Sequence, residues 1–273
     1  MRIDAHHHLW TVTRGDYGWL TPDLAPIYRD FRLSDLAPHL SAAGIEGTIL
    51  VQAAPTEAET MFLLDIAESA ELVRGVVGWT DFNAPDGVAR IDALAARNLL
   101  VGLRPMVQDI PDDDWLLRPA LAPLLAAMTR NSLVFDALVL PQHLDVLQDF
   151  VGLYPELRLV VDHGAKPPLR SGQLDEWKAG IRAIAESTHA VCKLSGLVTE
   201  AGSASPAVLA ECVDHLVGSF GPQRLMWGSD WPVCELVCSY EEWYQASEML
   251  LVTLGADERE RIYSGTARET YGI

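Results

Sequence analysis

At 273 residues, 49% apolar and with a net charge of −18, the chain can bury a sizeable core but lacks the basic face that nucleic acids and anionic membranes require. No apolar run approaches the ~20 residues of a membrane span. The N-terminus opens on a histidine cluster instead of an apolar signal, so a cytoplasmic protein with a small-molecule substrate is expected, homo-oligomers being allowed. The length suits one large domain or a single α/β barrel of about 250 residues. With no linker, repeat or low-complexity stretch, residues 1–273 read as one domain. Cys192, Cys212, Cys234 and Cys238 form no matched pair of metal-binding pairs and read as reduced, mostly buried thiols.

The first β-run, Arg2–Trp10, contains His6, His7 and His8. Residues two apart on a strand share a face, which predicts Asp4, His6 and His8 on one side and Ala5 and His7 on the other. Two imidazoles roughly 7 Å apart on one face can reach a single metal ion. Three histidines near a terminus also suit a surface cluster, so the decision falls to residues further along. A polar and aromatic loop with Tyr17 and Trp19 leads to a helix near Leu33–Ala43, with Ser34 as N-cap and Gly44 as its stop. Further β-runs follow at Gly47–Ala53, Val73–Asp81, Leu99–Val107, Leu133–Val139, Leu157–His163, Ala190–Leu194 and Leu225–Asp230. Each is trailed by an amphipathic stretch, the last pair near 240–254 and 257–262. Alternation at this spacing predicts parallel strands joined by helical crossovers, and eight such units close into a (β/α)8 barrel. An open doubly wound sheet is the second choice. It lacks the G-x-G-x-x-G turn of dinucleotide binders after the first strand, and no G-x-x-x-x-G-K-[ST] or G-x-S-x-G motif is present.

In such a barrel the chemistry sits at the C-terminal ends of the strands. Those ends carry His6 and His8, then Gln52, Trp79 and Asp81, Arg104, Asp136, His163 followed by Lys166, Lys193 and Ser195, and finally Asp230. A core has no structural need for so many polar groups. His6, His8, His163 and Asp230 make a set of three imidazoles and one carboxylate that suits one divalent ion, zinc first among them, with a position left for water.

The order H-x-H (His6 to His8), Asp162-His163-Gly164-Ala165-Lys166-Pro167 and Gly228-Ser229-Asp230-Trp231-Pro232 resembles the amidohydrolase superfamily, in its metal-dependent hydrolase branch. Ile3–Trp10, Gly102-Leu103-Arg104 and Leu116-Leu117-Arg118-Pro119 resemble the subgroup that opens lactones of sugar acids, such as fuconolactones and rhamnonolactones. The resemblance runs the full chain. It implies His6, His8 and His163 around a metal or a polarised carbonyl, and Asp230 as the base that activates water. Two-metal members carry a bridging Lys or Glu on strand four and a further His on strand five. Arg104 and Asp136 stand there instead, which points to a single ion, weakly held or dispensable. Pro105 stands where the subgroup often has His.

The expected reaction is hydrolysis of a lactone by water. Asp230 takes the proton and later returns it to the ring oxygen, while His163 or Lys166 steadies the oxyanion. Arg104, Lys166, Gln52 and Trp10 are the expected substrate contacts, with Arg104 alternatively in an ion pair with Asp136 or Asp81. Lys193 is either paired with an acid such as Asp162 or turned to the site, since a lone buried ammonium is costly. His7 is expected to pack away from the site. A decarboxylase or hydratase of an acidic ring-cleavage product on the same barrel is the alternative; it needs more cations at the mouth than Arg104, Lys166 and Lys193. A non-catalytic metal-binding protein would leave gaps in the polar set, and there are none.

Overall fold

The computed structural model describes residues 1–203 and 205–273. Eight parallel strands follow one another around a single sheet in sequence order. They are β1 (Arg2–His7), β2 (Ile45–Val51), β3 (Val73–Gly78), β4 (Leu100–Leu103), β5 (Val134–Ala137), β6 (Leu159–Val161), β7 (Val191–Leu194) and β8 (Leu225–Trp227). The crossovers are α1 (Leu33–Ala43), α2 (Glu57–Glu68), α3 (Gly87–Ala95), α4 (Ala122–Arg130), α5 (Leu144–Leu153), α6 (Asp175–Ser187), and then α7 (Leu197–Ala201) with α8 (Pro206–Phe220). After β8 come α9 (Tyr240–Leu250), α10 (Ala256–Glu260) and α11 (Thr266–Tyr271). This is a single-domain (β/α)8 barrel. Among the described residues, no helix is long and apolar enough to cross a membrane.

Two separate apolar clusters follow from the strand period of two. Ile49, Val51, Val77, Val101, Val134, Val160 and Met226 point inward and fill the lower barrel. Leu50, Val76, Phe135, Leu159 and Trp227 point outward and meet the apolar stripes of the helices, such as Leu36 and Leu40 of α1 and Leu63 and Leu64 of α2. Each such side chain contributes roughly 1.5–3 kcal/mol on burial. Ala267 and Tyr271 of α11 belong to the inner cluster and plug the barrel floor.

The strands are shorter than the apolar runs that announce them, because the run ends become the loops that carry polar groups. Ser34 does not cap α1. It lies inside the first turn, and the Asp35 carboxylate instead accepts the Arg32 N–H at 2.8 Å. Gly44 does end the helix, in the left-handed region at φ 66°. The predicted alternation along β1 also fails at one point. Ile3 and Ala5 join the inner cluster, yet His6 and His8 face the barrel mouth, and pairing with β2 is irregular between Asp4 and His7. The slip sends Asp4 outward, where Tyr240 of α9 donates to it at 3.2 Å.

Closure between β8 and β1 is made largely above the end of β8. Asp230 N–H donates to His6 carbonyl at 2.8 Å and His8 N–H to Trp231 carbonyl at 2.7 Å. Asp4 Oδ1 accepts the N–H of Ser229 at 2.9 Å and of His6 at 3.2 Å. The strands approach so closely that a Cβ on Gly228 would lie 2.7 Å from His6 Cβ.

Tyr271→Ala empties the barrel floor and removes a hydrogen-bond donor from Asp136. It is expected to lower stability by about 3–5 kcal/mol, read as a fall in the urea midpoint; an unchanged midpoint contradicts the plug.

Candidate active site

The C-terminal ends of the strands surround a cavity of about 220 Å³. His8, Arg104, His163, Lys166 and Asp230 line it, as expected from the sequence, joined by Trp19, Met106, Leu138, Thr199 and Glu200. The last two sit on α7, a short helix directly after β7 that the apolar pattern does not announce.

Backbone contacts of the closing seam bring β1 and the β8 loop together, and the side chains converge accordingly. His8 Nε2 lies 3.2 Å from Asp230 Oδ1, His6 Nε2 3.7 Å and His163 Nε2 4.0 Å. His6, His8 and Asp230 offer ligand atoms all within 4.8 Å of one another, and so do His6, Asp162 and His163. The donor chemistry suits a cation. His8 Nδ1 donates to Val51 carbonyl at 2.8 Å, so in the neutral ring the lone pair is on Nε2, which faces another acceptor, Asp230 Oδ1. A shared positive ion satisfies both. His163 Nδ1 is hydrogen-bonded to Ser195 Oγ at 2.8 Å, which orients its Nε2 to the cavity. That contact needs Gly196, where a Cβ would lie 2.6 Å from His163 Nδ1.

The backbone is strained here. His163, Ala165, Lys166 and Asp230 all have positive φ, from 50° to 57°. Non-glycine residues adopt this region at a cost, and such positions cluster at functional sites.

Beneath the histidines lies an array of fully buried charges. Lys193 Nζ is 2.6 Å from Asp136 Oδ2, 3.1 Å from Asp162 Oδ1 and 3.2 Å from His6 Nδ1. Tyr271 donates to Asp136 at 2.8 Å. Arg104 Nη1 donates to Asp162 Oδ2 at 3.2 Å, and its Nη2 donates to Gln52 carbonyl. Of the two carboxylates, Asp136 is raised by burial to about 6. Asp162 is held well below the usual carboxylate range, because Lys193, His6 and Arg104 outweigh its burial. Burial, with Lys193 next in importance, keeps His6 well below the ordinary imidazole range. Burial brings His163 down to about 4, against the pull of Asp230 and Asp162. Asp230 stays below the ordinary carboxylate value despite burial, because His163 and His8 pull it down.

Several expectations change in detail. Arg104 pairs with Asp162, not with Asp136 or Asp81, because Lys193 occupies Asp136. Lys193 takes the paired option and contacts His6 as well. Gln52 is fully buried and donates to Arg104 carbonyl at 2.8 Å; it fixes Arg104 and does not line the cavity. Trp10 is fully buried behind His8, donating to Arg29 carbonyl. The cavity wall belongs to Trp19, packed edge-on against Trp10. His7 points away, bonded to Thr48 Oγ1 at 3.0 Å. Sequence reasoning misses Asp162 and Glu200 as site groups. Asp162 is legible as the inward neighbour of His163; Glu200 has no signal, since it rides on the unannounced α7.

Comparison with known proteins gives the family of the chain. Residues 3–273 match the amidohydrolase family. An L-fucono-1,5-lactonase of Burkholderia ambifaria is 43% identical, covering 100% of this chain and 96% of that protein. One from Burkholderia multivorans is 36% identical over the same shares. A crystal structure of a Burkholderia multivorans amidohydrolase with bound zinc superposes with a TM-score of 0.93 at 35% identity, covering 100% of this chain and 99% of that one.

Lys193→Met strands two buried carboxylates and is expected to cost about 3–5 kcal/mol. The double variant with Asp136→Leu removes one of them and recovers part of that loss. Chemical denaturation of both proteins measures this. A double variant no more stable than the single one contradicts the pairing.

Proposed function

The chain belongs to the amidohydrolase family, and from that premise we propose that it is a lactonase that opens a lactone of a sugar acid by attack of a water that Asp230 deprotonates. The observation that carries the reading is the Asp230 carboxyl group at the cavity, with three imidazoles within 4.0 Å of its Oδ1, backed by full-length similarity to two L-fucono-1,5-lactonases. Water adds to the lactone carbonyl carbon while Asp230 Oδ takes its proton. The ring C–O bond then breaks, and the protonated Asp230 gives that proton to the ring oxygen, leaving an open hydroxy acid. Arg104 and Lys166 line the same cavity and supply donors for the carbonyl oxygen and the sugar hydroxyls.

His6, His8, His163 and Asp230 would hold one divalent ion, zinc on the strength of the relative that binds it, and when bound it supplies Lewis acidity at the carbonyl and a more acidic water. A neutral sugar ring suits the charge balance of the walls. The two permanent cations, Arg104 and Lys166, each face an acid, Asp162 and Glu200, at 3.2 and 3.8 Å. Among the described residues of the lining, neither cationic side chain is left without an acid to hold the several carboxylates of a ring-cleavage product, which ranks the decarboxylase alternative lower.

With a panel of aldonolactones that includes L-fucono-1,5-lactone, a pH-indicator assay is expected to find one hydrolysed far above its spontaneous rate. Asp230→Asn is expected to lower kcat by roughly 10²–10⁴-fold; near-normal turnover in that variant rules out Asp230 as the base. The pH dependence follows from the shifts above. His163 and Asp230 both titrate below their ordinary values, so their active forms, neutral imidazole and carboxylate, persist as pH falls. Activity controlled by this pair is lost only as pH drops towards about 4. A kcat/KM profile with its acid limb near the ordinary imidazole value contradicts that control.

A further inference from the structure

His6 stands between two buried partners that require opposite tautomers of it. An ammonium has three donors and no acceptor. Lys193 Nζ donates to Asp136 and to His6 Nδ1, the latter at 3.2 Å, and lies 3.1 Å from Asp162 Oδ1 as an ion pair. The contact with His6 requires a lone pair on Nδ1, which leaves the imidazole proton on Nε2. His6 Nε2 then donates towards the groups at the cavity edge, His8 Nε2 at 3.2 Å and Asp230 Oδ1 at 3.7 Å. His8 Nε2 is ready to accept, since its own Nδ1 proton is committed to Val51.

The second partner is Asp162 Oδ1, 3.6 Å from the same Nδ1. It is buried and pairs with the Lys193 ammonium at 3.1 Å without a well-directed hydrogen bond. A carboxylate there can only accept, so pairing with it places the proton on Nδ1 and frees the Nε2 lone pair. Metal-bound histidines use this arrangement, the far ring nitrogen donating to a carboxylate. Arg104 Nη1, 3.4 Å from His6 Nε2 and bonded to Asp162 Oδ2, also favours a lone pair on Nε2. A cation arriving at Nε2 would repel Arg104 and take its place.

We propose that His6 is a tautomer switch, which Lys193 holds as a hydrogen-bond donor towards the cavity and Asp162 holds as a metal ligand. The proposal rests on the reading above only in taking this cluster as a metal site. Lys193 and Asp162 act through His6 and are positioning residues. The switch makes ion binding conditional: the Nδ1 contact passes from Lys193 to Asp162 as the proton crosses the ring. The ammonium keeps its two carboxylates throughout, so the charge array below need not be dismantled.

The test uses the wild-type protein labelled with ¹⁵N-histidine, stripped with chelator and then titrated with zinc chloride. Long-range ¹H–¹⁵N spectra report the tautomer, and a His6→Asn variant identifies the signals. Before zinc, His6 is expected with Nδ1 unprotonated and Nε2 protonated. With one equivalent of zinc, Nδ1 becomes protonated and Nε2 coordinated. Zinc affinity, read by competition with a chromophoric chelator, is expected to weaken roughly 10–100-fold in Asp162→Asn and to tighten in Lys193→Met. If Lys193→Met does not fold, the wild-type spectra and Asp162→Asn decide. A proton already on Nδ1 before zinc, zinc bound with no change at His6, no zinc bound at all, or an unchanged affinity in Asp162→Asn would each overturn the switch. None of these readouts uses turnover, so the lactonase reading stands or falls separately.

Discussion

The barrel must close between its first and last strands, and it does so where the last strand has almost run out. β8 has three residues, too few to pair along the length of β1. The seam is therefore carried by the loop after β8, through Asp230 N–H on His6 carbonyl and His8 N–H on Trp231 carbonyl. Asp4 supplies what the short strand lacks, its carboxylate accepting two backbone N–H groups across the gap. These contacts satisfy backbone groups that burial would otherwise penalise. They also fix three candidate ligands, because His6, His8 and Asp230 are themselves residues of the seam. A barrel that failed to close here would lose its site with its closure.

Below the seam, the barrel interior changes from apolar to ionic within one layer. Val134 and Val160 are followed two residues later by Asp136 and Asp162, and Val191 by Lys193, as a period of two demands. Burying these charges costs several kcal/mol per ion, and pairing returns much of that only with good geometry. Tyr271, reaching up from the last helix, adds a donor to Asp136. Hydrophobic residues would make a more stable floor. The ionic layer has a positional use instead: it orients His6 and Arg104 from beneath, where no loop can reach.

Much of this was legible from the chain. The alternation of β-runs and helices carried the barrel, and the rule that sites sit at strand ends carried His6, His8, Arg104, His163 and Asp230. What escaped did so for physical reasons. The slip in β1 comes from strand pairing, not from any residue in the run, so Asp4 could not be seen turning outward. Trp10 and Trp19 are alike in composition, and only the fold of the loop decides which reaches the cavity. Gln52 sits at a strand end, yet Arg104 consumes both its carbonyl and its amide. The competition between Arg104 and Lys193 for the buried carboxylates depends on radial depth in the barrel, which linear spacing does not encode.

The cavity walls are built on a different principle from its floor. Trp19 is fixed by a hydrogen bond from Nε1 to Ala53 carbonyl at 2.7 Å. Ala53 is itself placed by the buried Glu59 carboxylate, which accepts the N–H groups of Ala53 and Ala54 and is raised by burial to about 8. Glu200 and Thr199 come from the short α7. Such walls hang on loops and single side-chain contacts, whereas the candidate catalytic groups hang on strand pairing and buried charge. Substitution in the loops can reshape the cavity without disturbing the seam. Changes at Asp4, Gly228 or Lys193 disturb both the barrel and the chemistry. The division leaves substrate preference free to vary while the reacting groups keep their places.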